Sequence, residues 1–238
     1  MLPLPKEYAD DLLVRLAHHS SAIEGNTITL AETVSIILHN TITGDHSFDL
    51  REVYEIKNHQ QAFDFVLSEL TKGEPLSVYT IQEIHALLTD RLQYDKGQFK
   101  AADNAIVGAD FVTASAKETP LLIRQWVDNL NFRLQAAKDG QEKIGIISEA
   151  HIVFERIHPF SDGNGRAGRM VMNYSLLQNH LPPLVINNKE RARYIAFLAE
   201  EDQEGFSQFV EKAIEEEKER RTQFQNAEDQ RIKEQSRD

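Results

Sequence analysis

Cysteine and long apolar runs are both absent from this chain of 238 residues. Without cysteine the chain cannot form disulfides, use a thiol nucleophile or bind zinc or iron–sulfur clusters through thiolates. No apolar stretch approaches the roughly 18–20 residues of a membrane-spanning helix. Residues 1–7 lack the basic and apolar regions of a signal peptide. These absences predict a soluble, cytoplasmic protein with no membrane partner.

Basic residues are outnumbered, since 26 lysines and arginines face 38 aspartates and glutamates for a net charge of −12. Such a surface repels phosphate backbones, so nucleic acid is not an expected partner. The hydrophobic share of 41% and the charged share of 27% are those of a folded globular protein. The composition therefore excludes disorder of the whole chain.

Apolar residues recur at spacings of three and four, which predicts a mainly α fold. The expected helices cover residues of about 7–19, 29–41, 50–70, 80–92, 119–135, 145–157, 164–179, 188–201 and 205–223. Glycines and β-prone stretches predict a short β-hairpin at about 97–110. No linker divides residues 1–215, which we expect to form a single domain. The highly charged residues 216–238 are expected to form a solvated helix or a frayed tail.

The most informative segment is His-Pro-Phe-Ser-Asp-Gly-Asn-Gly-Arg-Ala-Gly-Arg, at residues 158–169. Its small residues allow backbone N–H groups to approach an anion where a helix begins, and the helix dipole favours phosphate there. These small residues are Gly163, Asn164 and Gly165. Arg166 and Arg169 lie three residues apart on one side of the first helical turn, so both can reach phosphate oxygens. The segment therefore predicts a phosphate site.

Two further side chains of this segment bring reactive chemistry. Asp162 is an oxygen ligand beside the phosphate site, placed to hold Mg²⁺. His158 is the one proton acceptor near neutral pH and could deprotonate an attacking hydroxyl group. Phe160 is expected to anchor the loop in the core. Each feature alone has an ordinary structural explanation, but their convergence within twelve residues favours a functional site.

These residues resemble the signature of the Fic family, His-Pro-Phe-x-Asp/Glu-Gly-Asn-Gly-Arg-x-x-Arg, at every specified position. The resemblance implies a helical Fic fold with the hairpin as a flap over the active site. It also implies AMPylation, the transfer of AMP from ATP to a Ser, Thr or Tyr hydroxyl of a target protein. In that reaction His158 would be the general base and Asp162 the Mg²⁺ ligand. Residues 163–165 would form the phosphate-binding loop, with Arg166 and Arg169 contacting the triphosphate.

A second stretch, Ser20-Ser21-Ala22-Ile23-Glu24-Gly25, resembles the Fic inhibitory motif Ser/Thr-x-x-x-Glu-Gly/Asn. Ser20 and Glu24 fill its specified positions, on a predicted inhibitory helix of about 10–25. A glutamate paired with Arg169 would occupy the cation that the γ-phosphate needs. The resemblance therefore implies autoinhibition by Glu24. In some Fic proteins the same glutamate positions water to remove AMP from the target, and a bifunctional, deAMPylating enzyme stays open as the alternative.

Three other assignments follow from the resemblance. Gly97-Gln98-Phe99-Lys100 resembles the start of the Fic flap, so Lys100, Ile106 and Val107 are expected to bind the target. Tyr194 falls where related proteins line the adenine pocket, and an aromatic residue of the core is the alternative. Doc-like kinases usually carry lysine at the position of Gly165, and the glycine therefore favours nucleotidyl transfer.

Two other function classes fit parts of the sequence. His151-x-x-x-Glu155-x-x-His158 places three side chains roughly on one helical face, as in a metal-dependent hydrolase, although zinc hydrolases more typically carry His-Glu-x-x-His. A non-catalytic binding protein is the other class, and the presence of both His158 and Asp162 argues against it. The sequence does not identify the target protein. Auto-AMPylation and a homodimer stay open.

Overall fold

Helices form most of the chain in the computed structural model, which describes residues 4–44, 47, 49–105 and 111–235. They are α1 (Lys6–Ile23), α2 (Leu30–Leu38), α3 (Leu50–Lys72), α4 (Val78–Leu88), α5 (Thr119–Ala136), α6 (Gly140–Ile157), α7 (Asn164–Gln178), α8 (Arg191–Glu200) and α9 (Gln203–Gln235). A short 3₁₀ turn at Asn188–Glu190 precedes α8. The predicted mainly α fold is confirmed. Within the described ranges no helix combines the length and apolar character that a membrane crossing requires.

Helix α7 lies at the centre of the fold. All of its residues from Arg166 to Leu177 are buried, because α1, α3, α4 and α6 pack around it. A helix surrounded in this way cannot shift without disturbing the packing of its neighbours. The core therefore holds the N-terminus of α7, where the site is built, in a fixed position.

Two helix starts differ from the sequence-based expectation. Thr80-Ile81-Gln82-Glu83 resembles a capping box and predicts a helix start at Thr80, but α4 begins earlier and the side chain of Ser77 accepts a hydrogen bond from Thr80 N at 3.0 Å. A capping box does form at Thr29, whose hydroxyl accepts from Glu32 N while Glu32 Oε2 accepts from Thr29 N at 2.8 Å. Thr119-Pro120 predicts Thr119 as the N-cap of α5, but the N-cap is Glu118, one residue earlier.

The predicted β-hairpin at about 97–110 is not confirmed. Residues 97–105 form turns, bends and irregular chain, and no strand occurs in the described parts of the sequence. The backbone N–H of Lys100 donates to Pro159 O at 2.9 Å, so this segment pairs with the loop before α7. Ile106 and Val107, expected in the flap, lie outside the described residues.

The charged segment after residue 215 continues α9 as a helix to Gln235. It runs along α1, and three ion pairs connect the two helices: Arg15–Glu217, Arg220–Asp11 and Arg231–Glu7. Glu217 is buried and also accepts from the hydroxyl of Tyr8 at 2.8 Å. Three charged side chains of this segment, those of Glu217, Arg220 and Arg231, therefore bind it to α1.

Candidate active site

The loop of residues 158–163 joins the C-terminus of α6 to the N-terminus of α7. It begins at His158, which ends α6 in the left-handed conformation (φ 51°) and donates its N–H to Phe154 O at 3.0 Å. It ends at Gly163, the N-cap of α7, with φ 77°. A Cβ atom at Gly163 would lie 2.9 Å from Thr89 Cγ2. Glycine is thus required there by both the backbone conformation and the approach of α4.

Hydrogen bonds to the backbone of Phe160 fix the middle of the loop. The side chain of Asn164 accepts from Phe160 N through Oδ1 and donates to Phe160 O through Nδ2, each at 2.8 Å. Asn104 Nδ2 donates to the same carbonyl at 2.8 Å. The Phe160 ring is fully buried, which confirms that it anchors the loop in the core. Asn164 therefore offers a ligand its backbone N–H, while its side chain holds the loop.

The N-terminus of α7 is built to receive an anion. The first N–H groups of a helix have no intrahelical acceptor, and no side chain among the described residues caps this end. Arg166, in the first turn, is buried, and its Nε and Nη1 find no hydrogen-bond partner in the described part of the chain. Its nearest carboxylate belongs to Glu55, 3.9 Å from Nη1. Unpaired buried donors are costly, so a phosphate here would gain hydrogen bonds that the protein leaves open.

The carboxylate of Asp162 faces outward beside this end of α7. Oδ1 accepts from Gly163 N at 2.7 Å, and Oδ2 pairs with Arg51 at 3.1 Å. Burial would raise the pKa of Asp162, but the Gly163 N–H and the charges of Arg166 and Arg51 outweigh it and lower the pKa. The side chain is therefore ionised at neutral pH, and it stays 58% exposed.

His158 has one ring nitrogen engaged and the other available. Nδ1 lies 3.2 Å from the carbonyl of Glu155, so Nδ1 carries the proton and Nε2 a lone pair. Burial, together with the charge of Lys100, lowers the pKa of His158 despite the opposing effect of that hydrogen bond. The neutral imidazole therefore prevails at physiological pH, and Nε2 can accept a proton.

Lys100 and His85 pack beneath the loop and support it. Lys100 is buried, and its ammonium donates to the last carbonyl of α6, that of Ile157, at 3.2 Å and to Asn104 Oδ1 at 2.7 Å. This cation neutralises the negative end of α6; binding of the target by Lys100 stays a prediction. His85 of α4, which sequence reasoning missed, stacks on Phe160 and is buried, and burial lowers its pKa to about 4.

The C-terminus of α1 reaches α7 at Arg169. Arg169 Nε donates to Ser20 Oγ at 3.0 Å, and Nη2 donates to Ser20 O at 2.9 Å and to Glu24 Oε1 at 2.7 Å. Burial alone would lower the pKa of Arg169, but the carboxylate of Glu24 raises it, so the guanidinium stays charged. A Cβ atom at Gly165 would collide with Glu24 Oε1. The structure therefore brings both residues of the N-terminal motif to the arginine that the sequence singled out.

Tyr194 lies behind Arg169 in the core. It is fully buried, its hydroxyl lies 2.8 Å from His151 Nε2, and its ring centroid is 5.9 Å from the guanidinium carbon of Arg169. The ring therefore contributes to the environment of Arg169. A contact of Tyr194 with adenine stays a prediction.

The arrangement of a metal-dependent hydrolase is not present. His151 turns its Nε2 to Tyr194, and Glu155 is buried, which raises its pKa to about 8. Among the described residues no three or more histidine, cysteine, aspartate or glutamate side chains come together as metal ligands. The His151, Glu155 and His158 set is therefore not a metal centre here.

The fold and the site define a helical domain in which a glycine-rich loop places a histidine beside a helix N-terminus. Residues 75–176 match the family described as Fic/DOC. This segment contains α4, α5, α6, the whole loop and α7 up to residue 176. This part of the chain is therefore similar to the Fic/DOC family.

Several relatives resemble this chain beyond the matched segment. Protein adenylyltransferase Fic of Drosophila willistoni is 29% identical over 182 residues, which are 76% of this chain and 35% of that protein. The chain thus spans about a third of the length of the curated relatives it matches. A Fic-domain-containing signaling protein of Bacteroides thetaiotaomicron (24% identity, TM-score 0.79) covers 90% of this chain and 88% of its own. Fic-1 of C. elegans (25%, TM-score 0.73) covers 93% and 65%.

Proposed function

We propose that this protein transfers AMP from ATP to a hydroxyl group of a target protein. The observation that carries the proposal is the convergence of a neutral His158, with Nε2 free to accept a proton, and the uncapped N-terminus of α7 with the unpaired donors of Arg166. The names of the curated relatives, protein adenylyltransferase Fic, support the same reaction.

In this reaction the phosphates of ATP lie at the N-terminus of α7. The N–H groups of residues 164 and 165 and the guanidinium of Arg166 stabilise the charge that develops around the α-phosphorus. His158 Nε2 takes the proton of a Ser, Thr or Tyr hydroxyl, whose oxygen forms a bond to the α-phosphorus. The bond to the β-phosphate bridging oxygen breaks, and pyrophosphate leaves. Arg169, once free of Glu24, neutralises the leaving phosphates.

Mg²⁺ belongs to this proposal through Asp162. Magnesium is typically bound by one or two carboxylates together with substrate phosphates, so a single exposed carboxylate beside the phosphate site fits it. The contact of Asp162 with Arg51 is made by two side chains that are more than half exposed, so it can be exchanged for a ligand. When bound, the ion would neutralise charge on the phosphates.

We propose further that Glu24 inhibits transfer. Its carboxylate pairs with Arg169 at 2.7 Å and lies against Gly165, in the space that a phosphate at α7 would need. A negative charge at this position also repels a triphosphate. ATP would then bind with its phosphates misplaced, and a displacement of about 1 Å can cost roughly 100-fold in rate.

The segment at 97–110 is proposed to align the target. It is joined to the loop through Lys100 N and Asn104 Nδ2, so a target held along it would lie close to His158. An extended peptide can be aligned by backbone hydrogen bonds with little sequence specificity. The partner is accordingly a protein with an accessible hydroxyl on an extended segment.

The test measures radiolabel transferred from α-labelled ATP to proteins of a lysate. Wild type, Glu24→Gly, and Glu24→Gly combined with His158→Ala are compared. Glu201→Gly is the matched control, because Glu201 also lies at a helix C-terminus and pairs with an arginine, Arg156, at 3.0 Å.

We expect strong labelling with Glu24→Gly, weak labelling with wild type and Glu201→Gly, and none with the double variant. A missing general base typically costs about 10²–10⁴-fold. Equal labelling by wild type and Glu24→Gly would contradict inhibition by Glu24. Labelling from γ-labelled rather than α-labelled ATP would contradict AMP transfer.

A further inference from the structure

His85 lies directly under the loop of residues 158–163, although it is not part of the Fic signature. Its ring and that of Phe160 are stacked, with centroids 3.6 Å apart and planes 2° from parallel. No part of the residue is exposed to solvent. A buried histidine needs partners for both ring nitrogens, and those partners indicate what it holds.

Both nitrogens of His85 bind backbone groups, and these determine the position of the ring proton. Gly97 N–H donates to Nδ1 at 2.9 Å, so Nδ1 carries no proton. Nε2 therefore carries it and donates to Asp162 O at 2.9 Å. Gln93 Nε2 lies 3.0 Å from His85 Nε2, and because two donors cannot bond to each other, the Gln93 amide is turned so that its oxygen accepts from Nε2. One neutral tautomer satisfies the whole arrangement.

The two backbone groups belong to different parts of the site. Asp162 carries the carboxylate proposed to hold Mg²⁺. Gly97 begins the segment whose Lys100 N and Asn104 Nδ2 bind the carbonyls of Pro159 and Phe160. Gly97 is pressed against α4, since a Cβ atom there would lie 3.0 Å from the Cβ of Ala86. His85 therefore connects Asp162, whose carboxylate is proposed to hold Mg²⁺, to Gly97, where the segment proposed to align the target begins.

We infer that His85 is a positioning residue, which holds Asp162 and the segment at Gly97 in the arrangement that AMP transfer needs. This inference rests on the proposed function, because its effect is expected on that reaction. His85 touches neither nucleotide nor target, so its loss should misplace the reacting groups with little change in the binding of ATP. The effect is expected on kcat, with KM for ATP nearly constant.

Three substitutions of His85 separate its stacking from its hydrogen bonds. His85→Phe keeps a ring on Phe160 but removes the donor and the acceptor. His85→Gln keeps a donor and an acceptor but removes the ring, and His85→Leu removes both. Trp126→Phe is the matched control, because it removes one buried hydrogen bond, from Trp126 Nε1 to Ala150 O at 2.9 Å, away from the loop. All are made in the Glu24→Gly background, where transfer is not inhibited.

Two readouts are measured: kcat and KM for AMP transfer, and hydrogen exchange of the Gly97 amide. We expect His85→Phe and His85→Leu to lower kcat roughly 10- to 100-fold and to speed the exchange of Gly97. His85→Gln should recover most of kcat and keep Gly97 protected, even if it melts at a lower temperature than His85→Phe.

Four results would overturn the inference. One is a kcat for His85→Phe no lower than that of Trp126→Phe. The second is a His85→Gln variant as slow as His85→Leu. The third is a rise in KM without a fall in kcat, and the fourth is unchanged exchange of Gly97 in His85→Phe. If the Glu24→Gly parent itself transfers no AMP, the proposed function fails, while the exchange of Gly97 still tests the role of His85.

Discussion

The loop before α7 and the end of α1 meet at the same helix, but they are held there in different ways. Buried hydrogen bonds from Asn164 satisfy both backbone groups of Phe160, and its ring lies in the core. Glu24 makes a single ion pair with Arg169, and 42% of its side chain is exposed. Water screens an ion pair in which one partner is exposed and so weakens it, while a buried polar group left unpaired costs about 1–3 kcal/mol. The loop is thus the fixed part of the site and Glu24 the movable part.

The loop of residues 158–163 should tolerate very little change. Gly163→Ala tests this, and it is the substitution with the largest expected effect on AMP transfer. The new Cβ would strain a left-handed residue and press on Thr89 Cγ2, so the loop must move. We expect AMP transfer in the Glu24→Gly background to fall roughly 100-fold. Gly73→Ala is the control, because Gly73 has a similar φ of 70° with open space around it.

Thermal melting of Gly163→Ala and Gly73→Ala separates the strain of a left-handed alanine from the displacement of the loop. Each should lose about 1 kcal/mol through the left-handed conformation, while the loss of transfer should be confined to Gly163→Ala. Similar activities of the two variants would show that the contact of α4 with Gly163 does not determine the position of the loop.

The contact of Glu24 with Arg169 should depend on how firmly α9 holds α1. Glu217→Gln tests this dependence, and its expected effect on AMP transfer is smaller than that of Gly163→Ala. Glu217 is buried and accepts two hydrogen bonds from Arg15, at 2.8 and 2.7 Å. Breaking a buried pair typically costs about 3–5 kcal/mol, so α1 should open more often and release Arg169 from Glu24. We expect faster amide exchange along α1 and a several-fold rise in AMP transfer.

Glu216→Gln is the matched control for this substitution, because Glu216 is an exposed neighbour whose partner, Lys212, lies on the same helix. It should leave both exchange and transfer at the wild-type level. Faster exchange in Glu217→Gln without any rise in transfer would show that the hold of α9 on α1 is unrelated to inhibition.

The smallest effect is expected on the pH dependence of transfer. The base must be unprotonated, so activity is lost as the pH falls through the pKa of His158, which lies below its ordinary value of 6.5. The charge of Lys100 contributes to that lowering, and Lys100→Met should therefore raise the pKa and move the acid limb to higher pH. The midpoint of the acid limb is measured in the Glu24→Gly background. Lys96→Met is the control, because Lys96 is exposed. A midpoint that stays or moves to lower pH would contradict this electrostatic role.

Both regions could be predicted from the sequence, but the residue that supports the loop could not. The loop was predicted because its histidine, carboxylate, glycines and arginines are contiguous, and the N-terminal motif because Ser20 and Glu24 match the Fic inhibitory motif. His85 could not be found, because its role arises only when α4 packs beneath the loop. Nothing in its local sequence separates it from an ordinary buried histidine.

The errors have local physical reasons. In the β-prone residues 98–100, Gln98 N donates to Asp95 O and Lys100 N to the loop carbonyl of Pro159, so these two N–H groups do not pair with a strand. The hydroxyl of Thr80 competes with that of Ser77, and the earlier residue caps α4.

The central claim is that Glu24 pairs with Arg169 and so blocks the cation that the γ-phosphate of ATP needs. The ratio of the affinities for ATP and ADP tests this claim most directly. Titration calorimetry on wild type and Glu24→Gln, which removes the charge and keeps the shape, gives this ratio without any turnover. If Arg169 is blocked, wild type should bind ATP and ADP about equally, and Glu24→Gln should prefer ATP roughly tenfold, which corresponds to about 1.4 kcal/mol. The same ratio in both proteins would contradict the claim.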